Sequence, residues 1–175
     1  SEVTKKLISN MKKLCKSYQD NGFVVIPNLF NESKINELLA ETLRLCREEG
    51  SKLPKTHLLT NKSHPPSNID EMSDDELLSH FLAIHFPHKM SPSFRSMLDA
   101  PELVPYLAML IGPNVKCMQS MLFVKKSGKP GQAWHQDEHF IPTRDRSLTG
   151  VWIALDDATI ENGCLWIIPG SHKAG

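Results

Sequence analysis

The hydrophobic period changes once along this chain, and that change constrains what it can fold into. Up to Gly112, apolar residues recur at helical spacing. From Val115, Cys117, Gln119, Met121 and Phe123 alternate with Lys116, Met118, Ser120, Leu122 and Val124, the period of a strand. Helices first and strands second predict an α+β protein whose sheet portion is a sandwich or barrel.

The helical part can be read in detail. Leu7, Ile8, Met11, Leu14, Cys15 and Tyr18 share one face of a first helix, which Asn21-Gly22 stops. Phe23-Val24-Val25-Ile26 predicts a short early strand over 23–27. Asn31 caps a second helix with the stripe Ile35, Leu38, Leu39, Thr42, Leu43 and Cys46, ended by Gly50. Residues 51–70 are polar and proline-bearing and predict a long loop. Ser73-Asp74-Asp75-Glu76 is a capping box opening a helix expected to run to Ala83. Pro92 and Pro101 each mark a further helix start, the second helix carrying Leu103, Tyr106, Leu107 and Leu110. Beyond Val115–Val124, strands are predicted over 133–140, 149–155 and 164–168, separated by polar turns. The organisation expected is a mainly helical flank over 1–114 and a sheet portion over 115–175, within one structural domain.

Composition narrows the function. Twenty Lys+Arg balance twenty Asp+Glu over 175 residues, so no basic excess points to a nucleic-acid partner. No apolar run approaches the roughly 20 residues of a membrane helix, and residues 1–6 show no signal-peptide stretch. The four cysteines include no Cys-x-x-Cys pair and are expected to be free thiols, which fits a cytoplasmic protein.

The chemistry concentrates in Trp134-His135-Gln136-Asp137-Glu138-His139-Phe140. On a strand, residues i and i+2 face the same side about 6.7 Å apart, so an imidazole and a carboxylate can lean toward one metal ion. His-x-Asp is the local half of a 2-His-1-carboxylate facial triad, which leaves metal positions open and suits Fe(II). The bare spacing also occurs in surface pairs, but here Trp134 and Phe140 flank it and are expected to keep water away. His139 would lie about 13 Å along such a strand from His135, beyond reach of a shared ion. His172, in Pro169-Gly170-Ser171-His172, is expected to be structural or exposed. Of the earlier histidines, His85 and His88 with Lys89 form a basic cluster that either meets an acidic ligand or is simply solvated.

Several linked segments resemble the phytanoyl-CoA dioxygenase family in order. They are Phe23–Ile26, Ile111-Gly112-Pro113-Asn114, Met118–Lys125, Trp134–Asp137, Trp152–Asp157, Glu161–Leu165 and Pro169–His172. That family is similar to other Fe(II)- and 2-oxoglutarate-dependent oxygenases. The resemblance implies a double-stranded β-helix, the jelly-roll of cupin-like proteins, flanked by N-terminal helices. It also implies His135 and Asp137 as iron ligands. Trp152 and Met121 match positions lining the 2-oxoglutarate pocket, and His85 falls near a basic cosubstrate-contacting position. Gln119 and Gln136 are the substrate-side candidates. Related halogenases carry a small residue in place of the carboxylate, so Asp137 implies hydroxylation of a small-molecule substrate with molecular oxygen.

In the family the second histidine ligand, and the serine and arginine that grip 2-oxoglutarate, follow the Pro-Gly-Ser-His segment. The expectation is therefore an N-terminal part of a longer enzyme, holding the first half of the jelly-roll and inactive alone. The alternative is a catalytically silent jelly-roll serving as a binding or scaffold module.

Overall fold

The computed structural model describes residues 2–48, 58–60, 68–126 and 128–174. Two long amphipathic helices open the chain, α1 (Glu2–Asn21) and α2 (Glu32–Glu48). Gly22 ends α1 at φ +84°, a left-handed conformation that glycine adopts without steric cost, and its N–H donates to the Tyr18 carbonyl at 2.8 Å. The Asn31 side chain accepts from the Lys34 N–H at 2.9 Å, capping α2. The expected stop at Gly50 falls outside the described residues, as does most of the expected loop.

Within that loop span the structure has a strand, β1 (Leu58–Thr60). Next comes α3 (Asp74–Ser79), with both halves of the Ser73–Glu76 capping box formed. The helix expected to reach Ala83 stops at Ser79, and Phe81–His85 forms strand β2. The helical pattern over Leu77–Ala83 is overridden because Phe81, Ala83 and Ile84 are buried between two strand neighbours. Two short helices, α4 (Pro92–Ser96) and α5 (Val104–Ile111), follow, α4 capped by the Ser91 hydroxyl. The last strand is β3 (Met121–Phe123).

These strands make one antiparallel sheet in the order β1-β2-β3, with Ile84 opposite Leu58 on one side and Leu122 on the other. The core lies where α2, α3 and α4 cover this sheet. Leu38, Leu45, Cys46, Leu77, Phe81, Ile84, Phe94, Met97, Leu122 and Val124 form one buried cluster. Arg47 locks the approach to α3, donating to the Ile69 and Met72 carbonyls at 3.1 Å each and pairing with Asp74 at 2.6 Å.

The strand expectations are corrected in several places. The early strand at 23–27 is absent: those residues have no ladder partner among the described residues, and Val25 is 73% exposed. Of 115–124 only Met121–Phe123 is strand, and 149–155 and 164–168 contain none. The span 133–140 is likewise not a strand; Asp137–Phe140 is a one-turn helix, α6. A strand is a property of a pair, so alternation without a hydrogen-bonded neighbour leaves the backbone irregular. The observed sheet is therefore small, and the fold is a mixture of helix and sheet.

Candidate metal centre

His135 and Asp137 come together even though they do not share a strand. His135 lies two residues before α6, the intervening Gln136 is extended, and Asp137 is the first residue of that helix. His135 Nε2 lies 3.3 Å from Asp137 Oδ1. On the other side of the ring, Nδ1 lies 2.6 Å from the Ala133 carbonyl oxygen, which can only accept, so Nδ1 carries the proton. With Nδ1 so committed, Nε2 faces a carboxylate, and an imidazole lone pair and a carboxylate oxygen that close need a positive species between them. A proton on Nε2 serves, and so does a metal ion. Metal bonds of about 2.1 Å meeting at a right angle would separate two donors by about 3 Å, which the observed spacing fits. An Nδ1–H held by a backbone carbonyl is also the usual arrangement behind a ligating histidine.

The surroundings shape this pair. A Cβ on Gly150 would come within 3.3 Å of Asp137 Oδ2, so the missing side chain leaves the carboxylate its room. Glu138 clasps the following loop. Its carboxylate accepts from Thr143 N–H and Oγ1 at 2.6 Å each and from Leu148 N–H at 3.1 Å. The Thr143 hydroxyl and then its backbone N–H hold the Glu138 carboxyl below the usual carboxylate range. Phe140 meets the His135 ring edge-on at 5.6 Å. Trp134 and Phe140 are 67% and 69% exposed, so they do not shield the pair from water as expected.

Helix α1 anchors the segments around the pair. Tyr18 Oη lies 3.0 Å from Thr149 Oγ1, next to Gly150. At the end of α1, the Asn21 carbonyl accepts from Gly170 N–H at 2.8 Å, and the Gln19 carbonyl accepts from His172 Nε2 at 3.1 Å. A Cβ on Gly22 would sit 2.4 Å from His172 Nδ1, so this docking depends on that glycine. Gln136 Nε2 closes the circuit by donating to the Ser171 carbonyl at 3.0 Å. His172 and Gln136 are thus both occupied in holding the frame.

The other candidates fall into two groups. His85 and Met121 are direct cross-strand partners in β2 and β3, so the sheet register sets them side by side. Close by, His88 Nδ1 and the Ser120 hydroxyl share a 2.6 Å hydrogen bond. Gln119 offers its carbonyl to the Cys117 thiol at 3.4 Å in an exposed stretch. Trp152 is half exposed. Among the described residues no group of three or more His, Cys, Asp and Glu side chains converges, so the pair stands as two donors. A concavity of about 470 Å³ between α1 and α5, lined by Ile8, Met11, Cys15, Gln19 and Met109 among others, contains none of these candidate residues.

A family described as Phytanoyl-CoA dioxygenase (PhyH) matches residues 18–175. This chain belongs to the phytanoyl-CoA dioxygenase family. It is 32% identical over 172 residues to the peroxisomal phytanoyl-CoA dioxygenase of Rattus norvegicus, covering 90% of this chain and 46% of the relative. The phytanoyl-CoA dioxygenase of Arabidopsis thaliana is 28% identical over 179 residues, covering 90% of this chain and 63% of that protein. A phytanoyl-CoA dioxygenase domain-containing protein 1 of Danio rerio reaches 40% identity over 93 residues, 52% of this chain and 32% of its own length. The chain thus spans about half the length of the first curated relatives it matches. No solved structure gives a significant match.

Gly150 and Glu138 are the residues of this family member that sequence reasoning missed. Glu138 had a visible signal, a carboxylate five residues before a threonine in a turn, but its partners became definite only with the loop in place. Gly150 had none, since its role depends on an approach from a segment 13 positions earlier. Among the described residues no helix is long and apolar enough to cross a membrane.

Proposed function

We propose that this chain carries part of the iron site of an Fe(II)- and 2-oxoglutarate-dependent dioxygenase that hydroxylates a small organic or acyl substrate. The observation that carries this is the His135 Nε2–Asp137 Oδ1 approach of 3.3 Å, with Nδ1 held by the Ala133 carbonyl. His135 supplies an imidazole nitrogen and Asp137 a carboxylate oxygen, the donor types that Fe(II) oxygenases use. Fe(II) with 2-oxoglutarate and oxygen, when bound, supplies oxidative decarboxylation coupled to substrate hydroxylation. The chain's own residues orient and exclude: Ala133 fixes the His135 tautomer, and Gly150 leaves space for the Asp137 carboxylate. His85 and Met121, paired across β2 and β3, are proposed to face the cosubstrate, with Trp152 completing its pocket. Gln119 is proposed on the substrate side. Gln136, bonded to Ser171, reaches substrate only if that bond opens. A double-stranded β-helix core and a cytoplasmic location belong to the same proposal.

The test is metal-dependent turnover. Added Fe(II) should drive conversion of 2-oxoglutarate to succinate by the full-length protein, and Asp137→Ala should abolish iron binding. Unchanged iron affinity in that variant would remove His135 and Asp137 from the metal site. A second possibility, a catalytically silent binding or scaffold module, is favoured by the count of two converging donors among the described residues. Iron binding without 2-oxoglutarate turnover in the full-length protein would select it.

A further inference from the structure

A concavity of about 520 Å³ opens beside the sheet, lined by His88, Lys89, Met90, Ser91, Pro92 and Arg95. Its lining contains three basic side chains and no acid. Among the described residues no carboxylate forms an ion pair with Lys89 or Arg95. Two carboxylates of α2 do reach this wall, Glu41 at the Ser91 hydroxyl and Glu37 at the Ser93 hydroxyl, and each is paired with a cation of its own helix, Arg44 at 2.6 Å and Lys34 at 2.8 Å.

The backbone brings these cations together at a conformational cost. Phe86 sits at φ +57°, a left-handed conformation that a bulky residue rarely adopts, and so ends β2 abruptly. The chain then turns through Pro87–Lys89 into Ser91, whose hydroxyl accepts from Phe94 N–H at 3.2 Å and starts α4. Three contacts hold the wall. Phe86 N–H donates to the Ser120 carbonyl at 2.9 Å, His88 shares its 2.6 Å bond with the Ser120 hydroxyl, and Lys89 Nζ rests 4.5 Å above the Phe86 ring. Burial first, and then the charges of Lys89 and Arg95, hold the His88 imidazole below its ordinary value. A guanidinium fork and an ammonium that form no ion pair of their own among the described residues match a group with several anionic oxygens better than a lone carboxylate.

We propose that this cavity binds a phosphate group, with Lys89 and Arg95 as its charge contacts and His88 as a hydrogen-bonding wall. The site stands apart from the iron proposal: it needs no metal and shares no residue with the His135–Asp137 pair. The phosphate arrives either free or as an ester on a larger ligand.

Isothermal titration of the metal-free chain with inorganic phosphate and with adenosine 3′,5′-bisphosphate tests it. Saturable binding of either is expected, and tighter binding of the bisphosphate assigns the ester as the source. The double variant Lys89→Gln/Arg95→Gln should lose affinity about tenfold or more. Both side chains are exposed, so circular dichroism should be unchanged, and Lys89→Arg should retain binding. Equal affinity in the double variant, or no binding of either probe to the parent chain, overturns the proposal. Displacement of phosphate by equimolar 2-oxoglutarate also overturns it, because the cavity would then be part of a cosubstrate site.

Discussion

Gly150→Ala isolates the geometry of the candidate metal pair from the stability of the fold. Gly150 is not in the left-handed region, so alanine is compatible with its backbone. An alanine there restricts the unfolded chain and should by this effect stabilise the protein by about 0.4–1 kcal/mol. The new Cβ, however, arrives 3.3 Å from Asp137 Oδ2, tighter than ordinary van der Waals contact. The Asp137 side chain is 60% exposed and, among the described residues, its carboxylate is held only by His135 at 3.3 Å, so it can swing aside by a few tenths of an ångström at little cost. Such a shift barely affects folding but moves one of two converging donors. Disturbing a ligand's support typically costs roughly 10–100-fold in metal affinity. Cobalt(II) titration followed by visible absorbance, beside urea unfolding of the same samples, reads both quantities. The expected pattern is equal or higher stability with metal affinity reduced by at least about tenfold. Unchanged metal affinity would refute the close approach of Gly150 to a working ligand. A stability loss above about 1 kcal/mol would show that the backbone cannot accept alanine there.

Other outcomes follow from the same contacts. Ile84→Ala removes a fully buried side chain between β1 and β3 and should cost about 2–5 kcal/mol by urea unfolding, against about 0.5–1.5 for Ile84→Val. Near-equal losses for the two variants would contradict a packed sheet centre. Glu138→Gln should speed amide exchange at Thr143 and Leu148, whose N–H groups now donate to that carboxylate; unchanged protection would mean the loop holds itself. Burial pushes the Cys46 thiol up to about 12, while Cys117 is exposed. An aromatic disulfide reagent at pH 8 should therefore label Cys117 in the native protein and Cys46 only after unfolding. The depressed His88 makes the folded state bind fewer protons than the unfolded one below the ordinary histidine range. Stability should therefore rise with pH from the lowered His88 pKa up to about 6.5, and His88→Asn should flatten that slope. An unaltered slope would place the titration elsewhere.

What could be read from the chain and what could not divide along physical lines. Capped helix ends are local: Asn21-Gly22 stops α1, Asn31 caps α2, and Ser73 with Glu76 forms its box, because each needs only neighbours within one turn, whereas the C-terminal end of α3 was set by the sheet. The pairing of His135 with Asp137 was likewise legible from a two-residue spacing, although the expected strand proved to be a helix start. Strands were the opposite case. Strand-like runs at 149–155 and 164–168 were plain, yet a ladder requires a second segment at hydrogen-bonding distance, and among the described residues only β1, β2 and β3 find one. The same holds for the frame of the site. Gly22 under His172, Gly150 under Asp137, and Ser120 against His88 are separated by 150, 13 and 32 positions, and no local pattern encodes such approaches. Residue types set which chemistry was available here; long-range packing chose which of those residues meet.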